Sequence, residues 1–331
     1  MTFGRFFLPG PTEVHPDVMA AMQQPMIAHR SATCRELMER VQPGLQQVFG
    51  TKRAVLIGVT SATGFMEAGI RLIPRGRVLA LVNGAFSERF AQIAEACGHE
   101  VVRNAVDWGR AHDPSTLSSE GFDAVVVAHN ETSTGVVQPI AEIARAVAPT
   151  PLLVDSTSGA GGIELQFDDW NLAYALTGSQ KALALPPGLA FAVVREDMLQ
   201  GDPGSFYFDL RRYVENPPPF TPALPQLYAL AAQMDRITAD GIEARWARHK
   251  EMAAMVHAWA PEILADPAHR SPTVTCIPDE SGTMVAKAAE AGFTVANGYG
   301  KMKGRAYRIG HMGDQTPATL EGLLTALSER L

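Results

Sequence analysis

Between residues 55 and 194 one pattern recurs. A short apolar run is followed by a few Gly, hydroxyl or acidic residues, and then by a stretch of helical periodicity. The runs are Val55 to Ile57, Val78 to Val82, Val101-Val102, Asp123 to Ala128, Leu152 to Val154 and Ala173 to Leu176. Such short runs without polar alternation suit strands buried on both faces. Phe65 to Ile73, the register Phe90, Ile93, Ala94, Cys97, and Ile140 to Val147 read as the helices between them. This alternation predicts an α/β fold with a mostly parallel central sheet flanked by helices. It also puts each polar stretch beyond a strand's carboxyl end, where open sheets of this kind bind ligands.

Two of those strand ends carry complementary chemistry. Asp155 closes the Leu152 to Val154 run, and Lys181 follows the next run twenty-six positions on, in Thr177-Gly178-Ser179-Gln180-Lys181. A pyridoxal-phosphate site needs a lysine to hold the aldehyde and a carboxylate to keep the pyridine nitrogen protonated. Taken singly, the Asp reads as a turn residue and the Lys as a solvated one. The whole phrase, VDSTSGAGGIEL followed by ALTGSQKALALPPGLA, resembles the cofactor segment of class V aminotransferases of PLP fold type I. The resemblance is to the alanine–glyoxylate and serine–glyoxylate or pyruvate branch. It implies pyridoxal 5′-phosphate as cofactor, with Lys181 and Asp155 as the catalytic pair.

Other stretches extend the resemblance. Thr60-Ser61-Ala62-Thr63-Gly64 stands before a helix, where exposed N–H groups and the helix dipole favour an anion, although an ordinary N-cap would look the same. It is similar to the family's phosphate cup, which implies that Ser61, Ala62, Thr63 and Gln180 hold the phosphate; Ala62 stands where the family has Gly. By the same resemblance, Phe86 of Asn83-Gly84-Ala85-Phe86 stacks on the pyridine ring with Thr157 on its other side. Thr132 of Glu131-Thr132-Ser133-Thr134-Gly135 meets the phenolic oxygen. The opening PGPTEVHPDVMAAM…PMIAHRS implies substrate contacts at Gly10 and His29, and NPPPFTPALPQLYAL implies that Thr221 reaches the phosphate of a neighbouring subunit.

After Val194 the alternation stops. Gly201 to Gly204 reads as loop, Ala223 to Asp240 and Ala244 to Trp259 as helices, and Thr273 to Ile277, Ser281 to Ala291, Ala306 to Ile309 and Pro317 to Arg330 as a small α+β domain. The expected division is an extended segment over 1–14, a large cofactor domain over 15–235 and a small C-terminal domain over 236–331. Arg308 lies within a strand between apolar neighbours, so it requires an anionic partner. Either a protein carboxylate supplies it or, as the resemblance to RIGHMG implies, the substrate carboxylate does.

These readings imply ping-pong transamination from alanine or serine to glyoxylate or pyruvate, in a homodimer with shared sites. Alternatives are an aminoethylphosphonate-type transaminase, a cysteine desulfurase-like lyase, and a catalytically silent binding protein of the same fold. The lyase needs a cysteine in a Gly/Ser-rich loop, and Cys34, Cys97 and Cys276 are not so placed. A net charge of −7 without a basic stretch disfavours nucleic acid. Three scattered cysteines suggest neither disulfides nor a metal site, and fit a reducing, cytoplasmic setting. No apolar run nears the roughly 20 residues that span a bilayer, so no membrane is expected.

Overall fold

The computed structural model describes residues 3–201 and 203–330; Met1, Thr2, Leu331, and Asp202 of the expected 201–204 loop lie outside it. The chain opens with strand β1 (Phe6–Phe7), a short helix α1 (Pro16–Ala21) and an 18-residue helix α2 (Ala32–Phe49). Alternation then begins: β2 (Leu56–Gly58), α3 (Ala62–Ile70), β3 (Arg77–Val82), α4 (Ala85–Ala96), β4 (Glu100–Ala105) and β5 (Ala124–Ala128). A two-stranded ribbon, β6 (Asn130–Glu131) with β7 (Val136–Val137), leads through α5 (Ile140–Val147) to β8 (Leu152–Asp155), β9 (Tyr174–Gly178) and β10 (Ala190–Val194).

Seven of these strands form one sheet in the order β2-β10-β9-β8-β5-β3-β4. The run from β4 to β9 is parallel throughout, while β10 is antiparallel to both its neighbours. The period-two rule for strands explains the two cores. Leu79, Leu81, Val125 and Val127 face a cluster with Leu37, Leu45 and Leu230. Val78, Ala80, Val82 and Val126 face the other way, onto Phe65, Phe90 and Tyr174. Every residue of β5, β8, β9 and β10 is buried, which is why these runs lack alternation in sequence.

The remaining chain supplies α6 (Leu210–Glu215), α7 (Leu224–Asp240), α8 (Ile242–Trp259), β11 (Val274–Pro278), α9 (Met284–Glu290), β12 (Thr294–Asn297), β13 (Ala306–Gly310) and α10 (Pro317–Ser328). β11, β12 and β13 make a second sheet, ordered β1-β12-β13-β11, with its own core around Phe7, Ile277, Phe293, Ile309 and Leu323. Phe6–Phe7 therefore belongs by pairing to the C-terminal sheet: β1 runs parallel to β12, Phe6 opposite Thr294.

Three differences from the sequence reading have physical causes. Helix α3 starts at Ala62 rather than Phe65, because its first turn is polar and carries no apolar periodicity. Helix α2 buries Leu37, Val41, Leu45 and Val48 on one stripe, although Pro43 lies inside it. Strand β12 alternates weakly and escapes a period count. No described helix is long and apolar enough to cross a membrane. No group of three or more His, Cys, Asp or Glu among the described residues could hold a metal ion.

Candidate active site

The loops after β2, β3, β5, β8 and β9 leave the same edge of the large sheet and enclose a cavity of about 260 Å³. Its walls include Ser61, Ala62, Thr63, Phe86, Thr132, Asp155, Thr157, Gln180 and Lys181, nine of the residues expected from sequence. Asp155 is the last residue of β8 and almost fully buried. Its Oδ1 accepts hydrogen bonds from the Thr157 amide (2.9 Å) and from the Thr157 hydroxyl. Burial pushes its carboxyl up to about 6, against the pull of those two bonds.

Lys181 is half-buried in the opposite wall, and its Nζ donates to the carbonyl of Pro9. Burial first, and the Arg308 charge second, bring its ammonium down to about 8. An N-terminal strap fixes the backbone here. The Thr12 amide donates to the Gln180 carbonyl (3.1 Å), and the Thr12 hydroxyl donates to the Lys181 carbonyl (3.0 Å). Gly10 has φ +100°, and a β-carbon there would lie 2.7 Å from Lys181 Cε, so only glycine suits the position.

At one end of the cavity Ser61 is the N-cap residue of α3, yet its hydroxyl makes no capping bond. The Gly64 amide donates to the Ser61 carbonyl (2.9 Å), which leaves the Ala62 and Thr63 amides, the Ser61 and Thr63 hydroxyls and the dipole end as donors for an anion. In the wall, the buried Asn130 side chain donates to Ser158 and Thr273, but its Oδ1 has no partner. The Thr132 hydroxyl shares a 2.6 Å hydrogen bond with Ser158. Phe86 forms one face and stacks on Tyr299, centroids 5.2 Å apart and planes 16° apart.

Phe86 is held from behind by Glu131. That carboxylate is fully buried and accepts from the amides of Phe86, Ser87 and Ser133 and from the hydroxyls of Ser87 and Ser133. It occupies the N-terminus of α4, where an anion offsets the helix dipole.

Arg308, on β13, is buried beside the cavity. It donates to the carbonyls of Asn297 (3.0 Å) and Thr132 (3.2 Å), and its guanidinium stands 5.6 Å from the Tyr299 ring centre. No carboxylate among the described residues pairs with it. Four expected residues are not in the cavity lining: Gly10 packs against Lys181 and Arg308 stands beside Thr132 and Tyr299, whereas His29 sits half-buried in a turn before α2, and Thr221 is exposed and lines a separate small cavity with Tyr207 and Pro218. Five residues of the lining were not expected from sequence: Met66, Arg89, Asn130, Ser158 and Tyr299. Arg89 reads as an ordinary surface charge of an amphipathic helix, and Tyr299 lies in an irregular loop far along the chain.

These residues fit a phosphorylated pyridine aldehyde. Unspent donors suit the phosphate, an aromatic face suits the ring, a buried acid suits the ring nitrogen, and an amine of lowered basicity suits the aldehyde. Comparison with known proteins agrees. The description "Aminotransferase class-V" matches residues 6–278. The L-aspartate–glyoxylate aminotransferase of Paracoccus denitrificans is 32% identical, over 97% of this chain and 89% of its own. The serine–glyoxylate aminotransferase of Methylorubrum extorquens is 31% identical, over 96% and 88%. A solved aspartate aminotransferase of subgroup IV from Thermus thermophilus superposes with a TM-score of 0.92 at 28% identity, covering 99% of this chain and all of that one. With that match over most of its length and this geometry, the chain belongs to the class V aminotransferases, a fold type I family whose cofactor is pyridoxal 5′-phosphate.

Proposed function

We propose that this aminotransferase moves the amino group of a small amino acid, alanine or serine, to a small 2-oxo acid, glyoxylate or pyruvate, by a ping-pong mechanism. The observation that carries the reading is Arg308: a buried guanidinium beside the cavity, hydrogen-bonded to carbonyls and paired with no carboxylate among the described residues. A substrate carboxylate bound there bidentately would supply the missing charge. Glyoxylate as acceptor follows the names of two relatives whose donors differ.

When bound, the cofactor supplies an electron sink for the bond broken at the substrate α-carbon. Asp155, ionised above about pH 6, holds a proton on the ring nitrogen. Lys181 would hold the aldehyde covalently and, when free, would move the proton of the substrate α-carbon as base and then acid, a task suited to an amine brought down to about 8. Ser61, Thr63 and Gln180 would anchor the phosphate, Phe86 and Thr157 would flank the ring and exclude water, and Thr132 would meet the phenolic oxygen. Gly10 and His29 remain substrate-side proposals, the first resting on its contact with Lys181. A cytoplasmic homodimer completes the proposal; Thr221 lies outside its own cavity and is exposed, as a residue reaching a neighbouring subunit would be.

A desulfurase-type lyase is not favoured. None of the three cysteines lines the cavity, Cys34 and Cys276 are buried, and burial pushes the Cys276 thiol up to about 12. The deciding test is a single-turnover screen: amino acids are added singly to the holoenzyme, the cofactor's absorbance is followed, and the keto acid is quantified. Alanine or serine should bleach the lysine-bound band and yield pyruvate or hydroxypyruvate. No change with any small amino acid would reject the substrate class. Borohydride should leave a reduced adduct on Lys181 and none in Lys181→Ala.

A further inference from the structure

A second arginine faces the same cavity. Arg89, one turn into α4, lines the wall, with its guanidinium 4.9 Å from the Phe86 ring centre. Its one hydrogen bond among the described residues is from Nη2 to the Tyr299 hydroxyl, at 3.0 Å. A guanidinium has five N–H donors, and no ion pair engages this one among the described residues. The nearest acid in sequence, Glu88, is turned away onto Arg103, which also takes Glu95. Tyr299 therefore stands between two cations without acids: Arg308 over its ring and Arg89 at its hydroxyl.

The charge balance of the cavity points the same way. Lys181, Arg89 and the adjacent Arg308 are positive, and Asp155 is the one acid lining the cavity among the described residues. Asp155 is taken up by the ring nitrogen, the α3 N-terminus by the phosphate and Arg308 by the substrate α-carboxylate in the transaminase reading. Arg89 is left over, and its charge is felt at Lys181.

Resting on that transaminase reading, we propose that Arg89 is a second carboxylate-binding residue, separated from Arg308 by Tyr299, and that the site accepts short dicarboxylic amino acids as donors. The α-carboxylate would lie on Arg308 and the side-chain carboxylate on Arg89. Tyr299 would space the two and Phe86 would support the second. An amino acid with a neutral side chain leaves Arg89 to water, which its partial exposure permits.

The test compares kcat/KM for L-aspartate and L-alanine, with glyoxylate as acceptor, in the holoenzyme and in Arg89→Met and Arg89→Lys. The wild type should turn over aspartate. The aspartate-to-alanine ratio should fall about 10- to 100-fold in Arg89→Met, the loss of charge-assisted bonds to one carboxylate, and recover in part in Arg89→Lys. Independently, succinate should raise the Tm of the wild type more than propionate does, and this difference should vanish in Arg89→Met. A wild type active on alanine but inert to aspartate overturns the proposal. So does an equal fall for both donors or a loss of cofactor affinity in Arg89→Met, since either makes Arg89 a support for the ring stack or the phosphate. If no amino acid turns over, the transaminase reading falls instead. The succinate comparison then decides alone, and equal Tm shifts for succinate and propionate overturn the role of Arg89.

Discussion

Asp155 and Lys181 are each held in the less comfortable charge state at neutral pH. The carboxyl is raised from 3.8 to about 6 by burial, so its penalty is absent below pH 4 and complete above pH 6. The amine is lowered from 10.5 to about 8, so its penalty is absent above pH 10.5 and complete as pH falls below 8. The window from pH 6 to 8 therefore carries both costs, the acid alone contributing on the order of 3 kcal/mol. Asp155→Asn keeps an oxygen for Thr157 and removes the charge. Its apoprotein should melt several degrees above the wild type at pH 7.5, with the difference shrinking towards zero at pH 4, while transaminase activity falls at least 100-fold. A pH-independent Tm difference would mean that the carboxyl does not titrate in this window.

At the scale of elements, the decisive joint is Glu131 beneath α4. One carboxylate collects three amides and two hydroxyls and so ties the β5 loop, which carries Thr132, to the helix that carries Phe86 and Arg89. Glu131→Ala should cost about 3 kcal/mol in urea unfolding, since buried donors lose a charged acceptor. A loss under about 0.5 kcal/mol would show that water replaces it. This joint also marks where sequence reasoning stops. Apolar runs place Asp155, Lys181, Ser61 and Phe86 beyond strand carboxyl ends, but singly each reads as a turn, solvated, capping or core residue, and only the resemblance of the whole phrases proposes their roles. Glu131 sits in the same loop as Thr132, but only the packing of α4 against β6 reveals what it accepts. Arg89 and Tyr299 meet across two separate sheets, and no local spacing announces such a pair. Helix α2 was hidden by Pro43, whose effect on helix propensity is overridden by the stripe it buries against α7.

For the whole molecule, the N-terminal strap couples the two sheets at the site. Gly310 of β13 lies against the backbone of Leu8 and Pro9, and the Pro9 carbonyl receives Lys181. Gly310→Ala should destabilise by about 2 kcal/mol through overpacking and lower cofactor occupancy as Pro9 shifts, read by absorbance after dialysis. Unchanged occupancy would separate the strap from the lysine. Thr221→Ala should weaken cofactor binding without touching its own cavity. Mixed with Lys181→Ala, it should regain activity if the proposed homodimer shares its sites, because one of the two sites in each mixed dimer would then be intact; no regain would place Thr221 outside any shared site. The pairing of β1 with β12 also sets a timetable during synthesis. Phe6 and Phe7 are synthesised long before Thr294 and Val295, their partners in the sheet. At about 5–20 residues per second, Phe7 waits on the order of tens of seconds for the core that buries it. The nascent chain thus presents an unburied aromatic pair to chaperones until β12 and the elements packed around it have left the ribosome.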